Sequence, residues 1–229
     1  MEVVILRTII FGVILAIPFF VREVMGTVFG QITVERAAYD VVRQVSSNMQ
    51  LRHYRPCVYA ETPAGNGGLS SSESSAAFQR LAKYIGVFGT PANEDALAIA
   101  MTAPVVRACT TLGCDTRPKK MAMTAPVVNT AGTIAFVLPT EYQSVDMAPR
   151  PTDPRVTLRA GRARTCAVLT FGGYATDATV SSRVAELVAS LKHEGIRPVY
   201  TTQFELLRYN PPFTIPMLRT NEILIEVYT

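Results

Sequence analysis

The sequence predicts an α+β fold: an antiparallel sheet carrying two amphipathic helices, behind an N-terminal transmembrane helix. Three observations predict it. Short runs rich in β-branched and aromatic residues alternate with turn residues, the pattern of antiparallel strands. One stretch of helical periodicity lies in each half of the chain, so the order strands, helix, strands occurs twice. From Thr8 to Val21 the chain runs TIIFGVILAIPFFV without a charge. With 229 residues and 48% hydrophobic content, the chain has enough apolar side chains for one sizeable core.

The apolar N-terminal run comes first. Counted from Val3 to Val21 it has 19 residues broken only by Arg7, which can snorkel from near one end. A spanning helix needs about 17–25 such residues, whereas the shorter charge-free core also suits the h-region of a signal peptide. Both readings mean membrane targeting. No A-x-A-like cleavage site follows, which favours an uncleaved single-pass anchor over residues 1–30, with the domain at 31–229. The run is apolar on all sides, unlike the helix of a soluble core. Arg7 lies on one side of it and Arg22 and Arg36 on the other, so the flanking charges leave its orientation open. A mitochondrial, plastid or endomembrane bilayer would serve equally.

After the anchor, YDVVRQV (39–45) and MQLRHY (49–54), separated by Ser46-Ser47-Asn48, and then CVYAET (57–62) read as strands of an antiparallel meander. PAGNGGLSSSESS (63–75) is a loop on composition and ends in serines able to cap a helix. In AAFQRLAKYIG (76–86), Ala77, Leu81, Tyr84 and Ile85 recur at helical spacing and Gly86 is a stop signal. TIAFVLP (133–139) adds a strand. A Pro-rich link, APRPTDPR (148–155), leads to the second series, where CAVLTFGGYA (166–175) is a strand. Thr176 or Asp177 can cap a helix whose Val180, Val184, Leu187, Val188 and Leu191 form an apolar stripe, stopped at Gly195. VYTTQFELLRY (199–209) and EILIEVY (222–228) complete the sheet. Strands followed by one helix and more strands, twice, predict an antiparallel arrangement rather than a parallel βαβ array.

Composition narrows the function classes. Charged residues make up 17% of the chain and the net charge is +4, with Lys and Arg scattered singly or in pairs. Neither a disordered acidic tail nor a nucleic-acid-binding surface fits that distribution. The four cysteines form no C-x-x-C pair and the two histidines lie far apart, so a zinc site finds little support. Cys109 and Cys114 could bridge a hairpin tip in an oxidising compartment, or stay as thiols beside a turn. None of the usual local signatures of a nucleophile with its base appears, which makes catalysis the weakest class.

IAMTAPVV (99–106) returns as MAMTAPVV (121–128), seven of eight residues at a spacing of 22. A proline cannot donate to a ladder, so Pro104 and Pro126 belong at an edge, a strand start or a bulge. The two blocks are expected to run antiparallel across a long hairpin tip (107–120), their Met and Val side chains forming an apolar wall. With YDVVRQVSSNMQLRHYRPCVYAET before them, and FVLP and YNPPFTIPMLRTNEILIEV after them, these blocks resemble the SOUL haem-binding protein family. The resemblance covers about residues 38–228, and the doubled block is similar to plant-type members. It implies a distorted antiparallel β-barrel or sheet of two pseudo-symmetric halves with two helices packed on it. It also implies haem or another tetrapyrrole bound in an apolar cleft between a helix and the sheet, without a chemical reaction.

Such a ligand needs an axial donor, a partner for its carboxylates and an apolar wall. His53, in LRHYRP, stands where some family members place a histidine proposed as axial ligand and many others have arginine; it is the candidate metal contact. The bland alternative is a solvated histidine on a half-exposed strand. His193 lies at a helix C-terminus and reads as structural. Arg52, Arg55 and Lys83 are candidates for the carboxylates, because guanidinium and ammonium groups satisfy an anionic edge. Phe78, Leu81, Tyr84, Ile85 and Met101 are candidates for the macrocycle's faces, though the same residues could close a core. The expected function is carriage or buffering of haem or a related pigment near a bilayer. The rival is an accessory subunit of a larger membrane complex, its cleft collapsed or gripping a partner. Loop 63–75 and tip 107–120 are where partner contacts are expected.

Overall fold

In the computed structural model, residues 27–65, 71–110, 132–200 and 202–228 are described. The strands are β1 (Glu35–Arg36), β2 (Tyr39–Ser46), β3 (Met49–Tyr54), β4 (Cys57–Pro63), β5 (Thr102–Ala103), β6 (Val105–Thr110), β7 (Thr133–Val137), β8 (Thr157–Gly161), β9 (Arg164–Phe171), β10 (Gln203–Arg208) and β11 (Asn221–Glu226), and all but β1 and β8 overlap runs that the sequence predicts as strands. Two helices join them, α1 (Ser72–Ile85) and α2 (Asp177–His193). The α+β class predicted from the sequence is the one observed.

Helix α1 begins four residues earlier than its apolar spacing predicts. Ser71 caps it, its side chain accepting from the Ser74 N–H, so the polar serines belong to the first turn. It ends as predicted at Gly86, whose φ of +87° is the left-handed region glycine enters without strain. Thr176, not Asp177, caps α2. Its buried stripe is Val180, Val184, Leu187 and Leu191, whereas Val188 is 43% exposed. Steps of four, three and four keep one face inward, and Val188 falls about 100° away from Leu187.

Nine strands form one antiparallel sheet in the order β2-β3-β9-β11-β10-β6-β7-β4-β8, and β1 pairs with β5 in parallel. The predicted meander therefore breaks after β3: β4 pairs with β7 and β8 instead. The sheet curls into a half-barrel. Strands β4 and β9 stand five places apart in the order, yet Tyr59 on β4 packs in one cluster with Cys166 and Val168 on β9.

Side-chain alternation separates the two faces of this sheet. On β9, Ala167, Leu169 and Phe171 pack under α2, while Cys166 and Val168 point inside the curl. On β4, Val58 and Ala60 pack under α1, while Tyr59 points inside. Directly paired residues share a face, and β10 links the halves through Leu206↔Arg107 outside and Leu207↔Val106 inside. Both helices thus cover the outer face over two separate cores, and a third cluster fills the interior.

The first repeat block is interrupted at its proline, as expected. Thr102–Ala103 and Val105–Thr110 are separate strands on either side of Pro104, which follows a cis peptide bond. The second block, Cys114 and most of the tip 107–120 lie outside the described residues, as do the apolar run 3–21 and residues 66–70 of the first loop. Among the described residues no helix is long and apolar enough to cross a membrane.

Candidate functional site

The interior of the curl is polar at both ends. At one end the pairing β3-β9-β11 brings Arg52 across to Glu222 at 2.9 Å, both side chains 6% exposed. The Tyr209 hydroxyl donates to the other Glu222 oxygen at 2.6 Å, Thr170 donates at 3.2 Å, and the Arg52 guanidinium lies 4.3 Å above the Tyr39 ring. Burial works against the charge on Arg52, but Glu222 and Tyr54 beside it hold its pKa above the ordinary arginine value. Burial, then the charge of Glu222, pushes the Tyr209 hydroxyl up as well. Among the described residues, no buried side-chain nitrogen or oxygen of this cluster is left without a hydrogen-bond partner.

At the other end Arg164 donates two bonds to Glu205, at 2.7 and 2.6 Å, in the planar fork that guanidinium and carboxylate form together. Arg159 bonds Glu61 at 2.8 Å with its guanidinium 4.5 Å over the Tyr59 ring, and Arg162 pairs with Glu226. Between these pairs lies a cavity of about 360 Å³, walled by Tyr59, Arg159, Arg162, Arg164, Glu205 and Glu226. Its volume is at the lower end of the range for small-molecule sites. Desolvation raises the thiols of Cys57 and Cys166, the latter to about 12, so both stay protonated near neutrality.

The structure divides the residues singled out from the sequence into two groups. Arg52 and His53 are neighbours on β3 and therefore face opposite sides: Arg52 inward to Glu222, His53 outward and exposed. The His53 Nδ1 lies 3.1 Å from Thr165 Oγ1, and its partner on the edge strand is Asp40. Arg55 is exposed and bonds that same Asp40 at 3.2 Å. Val41 and Val42 on strand β2 are exposed too, but Val41 pairs with Arg52 and so lies on the face opposite His53.

The second group surrounds α1. Leu81, Tyr84 and Ile85 are buried in the core between helix and sheet, and Phe78 packs edge-on to Phe136 at 5.4 Å. The Tyr84 hydroxyl donates to the Pro149 carbonyl at 2.8 Å. Lys83 is exposed on the last turn, and Met101 is 37% exposed just before β5. The α1 side chains close directly on the sheet, so a macrocycle packed on them would have to displace the helix. The β2–β3 edge demands no such movement: an accessible imidazole and a guanidinium stand there, both beside Asp40.

Sequence reasoning missed Arg164, Glu205, Tyr209 and Glu222. A signal existed, since FELLRY and NEILIEV place a carboxylate inside apolar strands, where an unpaired charge is costly. Among the described residues no group of three His, Cys, Asp or Glu is arranged to hold a metal ion.

A family model described as SOUL heme-binding protein matches residues 34–226. Heme-binding protein 1 of Sus scrofa is 28% identical over 147 residues, covering 64% of this chain and 67% of that protein. Among solved structures, an uncharacterized conserved protein from Listeria innocua covers 79% of this chain and 92% of its own at 13% identity, with a TM-score of 0.49. A hydrolase from Listeria innocua has the same coverage at 14% identity, with a TM-score of 0.47.

Proposed function

This chain belongs to the SOUL haem-binding protein family, and from that premise we propose that it binds haem or a related tetrapyrrole and carries or buffers it beside a bilayer, without catalysing a reaction. The observation that carries the reading is the family match over residues 34–226, which spans the sheet and both helices. The pig relative is named for the same ligand.

His53 is the residue proposed to meet the iron. Its ring is exposed on an edge, and the contact of Nδ1 with Thr165 orients it so that Nε2 can face a ligand. Arg55, which bonds the Asp40 paired with His53, is the cation proposed for a carboxylate, although it must be shared with Asp40. Bound haem would supply a redox-active iron with axial sites. The protein's part is to place one imidazole and a nearby guanidinium beside it. Arg52 supports this edge from the opposite face by fixing β3 to β9 and β11 through Glu222.

Membrane attachment through residues 1–30 is part of the same proposal and rests on the apolar run 3–21. A second reading, an accessory subunit of a membrane complex, is favoured by one observation: Phe78, Leu81, Tyr84 and Ile85 fill the space between α1 and the sheet.

Haemin titration of the purified protein tests the main reading. A saturable Soret shift is expected, and a shift no larger than that of an apolar control protein refutes it. His53→Ala should alter the bound spectrum. An unchanged spectrum removes the axial role alone.

A further inference from the structure

The two most exposed large apolar side chains among the described residues, Met217 at 83% and Phe213 at 63%, lie at the corner where the chain enters the domain. Four contacts fix that corner. The Ile215 N–H donates to the Val28 carbonyl at 3.0 Å, and Thr214 Oγ1 donates to the Thr27 carbonyl at 2.8 Å. Asn210 Nδ2 donates to the Gly30 carbonyl at 3.2 Å. Gly30, at a φ of +83°, lies so close to Leu218 that an added Cβ would stand 2.3 Å from its carbonyl oxygen.

The loop that makes these contacts is stiff. It carries Pro211, Pro212 and Pro216, and Arg219 binds it internally by donating to the Thr214 and Pro212 carbonyls. The Arg219 guanidinium also lies 4.8 Å over Tyr174, which is 60% exposed. Phe29 at 53% and Leu218 at 44% complete the patch. A rigid frame therefore holds five large apolar or aromatic side chains in water, a feature that marks an interaction surface.

The chain itself names the partner. The apolar run ends at Val21, and the six steps from there to Thr27 can span at most about 20 Å even when fully extended. Whatever bilayer receives that run lies within this distance of the corner. Aromatic and aliphatic side chains with an adjacent arginine suit the interfacial zone, where rings sit at headgroup depth and guanidinium meets phosphate. We propose that Phe29, Tyr174, Phe213, Met217 and Leu218 form a lipid-contact face that seats the domain on the bilayer entered by its own N-terminal run. The proposal rests on the anchoring reading above.

The chain has no tryptophan, so single tryptophans report on individual positions. Full-length Phe213→Trp and Met217→Trp are compared with Phe11→Trp, inside the run, and Tyr228→Trp, about as exposed as Phe213 and beyond the opposite end of β11. All are reconstituted in phosphatidylcholine vesicles with brominated acyl chains. Positions 213 and 217 should be quenched at least about threefold more than position 228, with blue-shifted emission. Quenching at 213 and 217 no greater than at 228, while position 11 is quenched, overturns the lipid face and leaves the anchor standing. If position 11 is not quenched either, the anchoring premise fails with it. A blue shift at 213 and 217 without quenching means that protein covers the corner, and this too overturns the proposal.

Discussion

The Arg52–Glu222 pair shows how much one side chain can decide in this protein. With both partners 6% exposed, removing the guanidinium strands a carboxylate among apolar strands. Arg52→Ala should therefore lower stability by about 3–5 kcal/mol in urea unfolding. A loss below about 1 kcal/mol would mean that water reaches Glu222. Cys166 makes the opposite kind of prediction. Its thiol pKa rises from 9.0 to about 12 in the folded state, chiefly by burial. An unfolded chain then ionises this thiol first, so its contribution to stability is present below pH 9 and declines as pH climbs toward about 12. Native protein at pH 8 should leave Cys166 unalkylated by iodoacetamide while the urea-unfolded chain is modified. Equal rates would contradict its burial. Arg52 could be singled out from the sequence but its pairing could not, because Arg52 and Glu222 stand 170 positions apart and nothing local links them.

At the scale of elements, α1 and α2 were legible and their ends less so. Periodicity is set by the turn of the helix, so Leu81, Tyr84 and Ile85 could be assigned an inward face from spacing alone. The first turn could not, since its serines carry no hydrophobic signal until the Ser71 cap is seen. Leu81, wholly buried, should cost about 2–5 kcal/mol when changed to Ala. Ser71→Ala should cost about 1 kcal/mol by leaving the Ser74 amide without its cap. Thermal unfolding followed at 222 nm checks both, and a cap effect equal to the core effect would overturn the assignment of α1 stability to packing. Strand β8 went unseen for a different reason. TLRAG sits at the sheet edge with none of its residues buried, so it lacks the apolar alternation by which strands are recognised.

For the whole molecule, attachment and architecture can be tested apart. Full-length protein expressed in cells should stay in the membrane pellet after alkaline carbonate extraction, and the intact mass should retain residues 1–30. Release by carbonate refutes a spanning segment, while a mature chain lacking the run identifies a signal peptide. The architecture shows what one-dimensional information can hold. By itself the sequence determined the α+β class, the order of most elements and the family, because turn residues, periodicity and motif order are local properties of the chain. Only the tertiary structure decided that β4 leaves the meander to pair with β7 and β8, that Arg52 and His53 face opposite sides, and that Arg164 meets Glu205 beside the cavity. Those outcomes follow from strand order and curl. Both are settled by the burial of several distant segments at once, for which no single stretch of sequence carries the instruction.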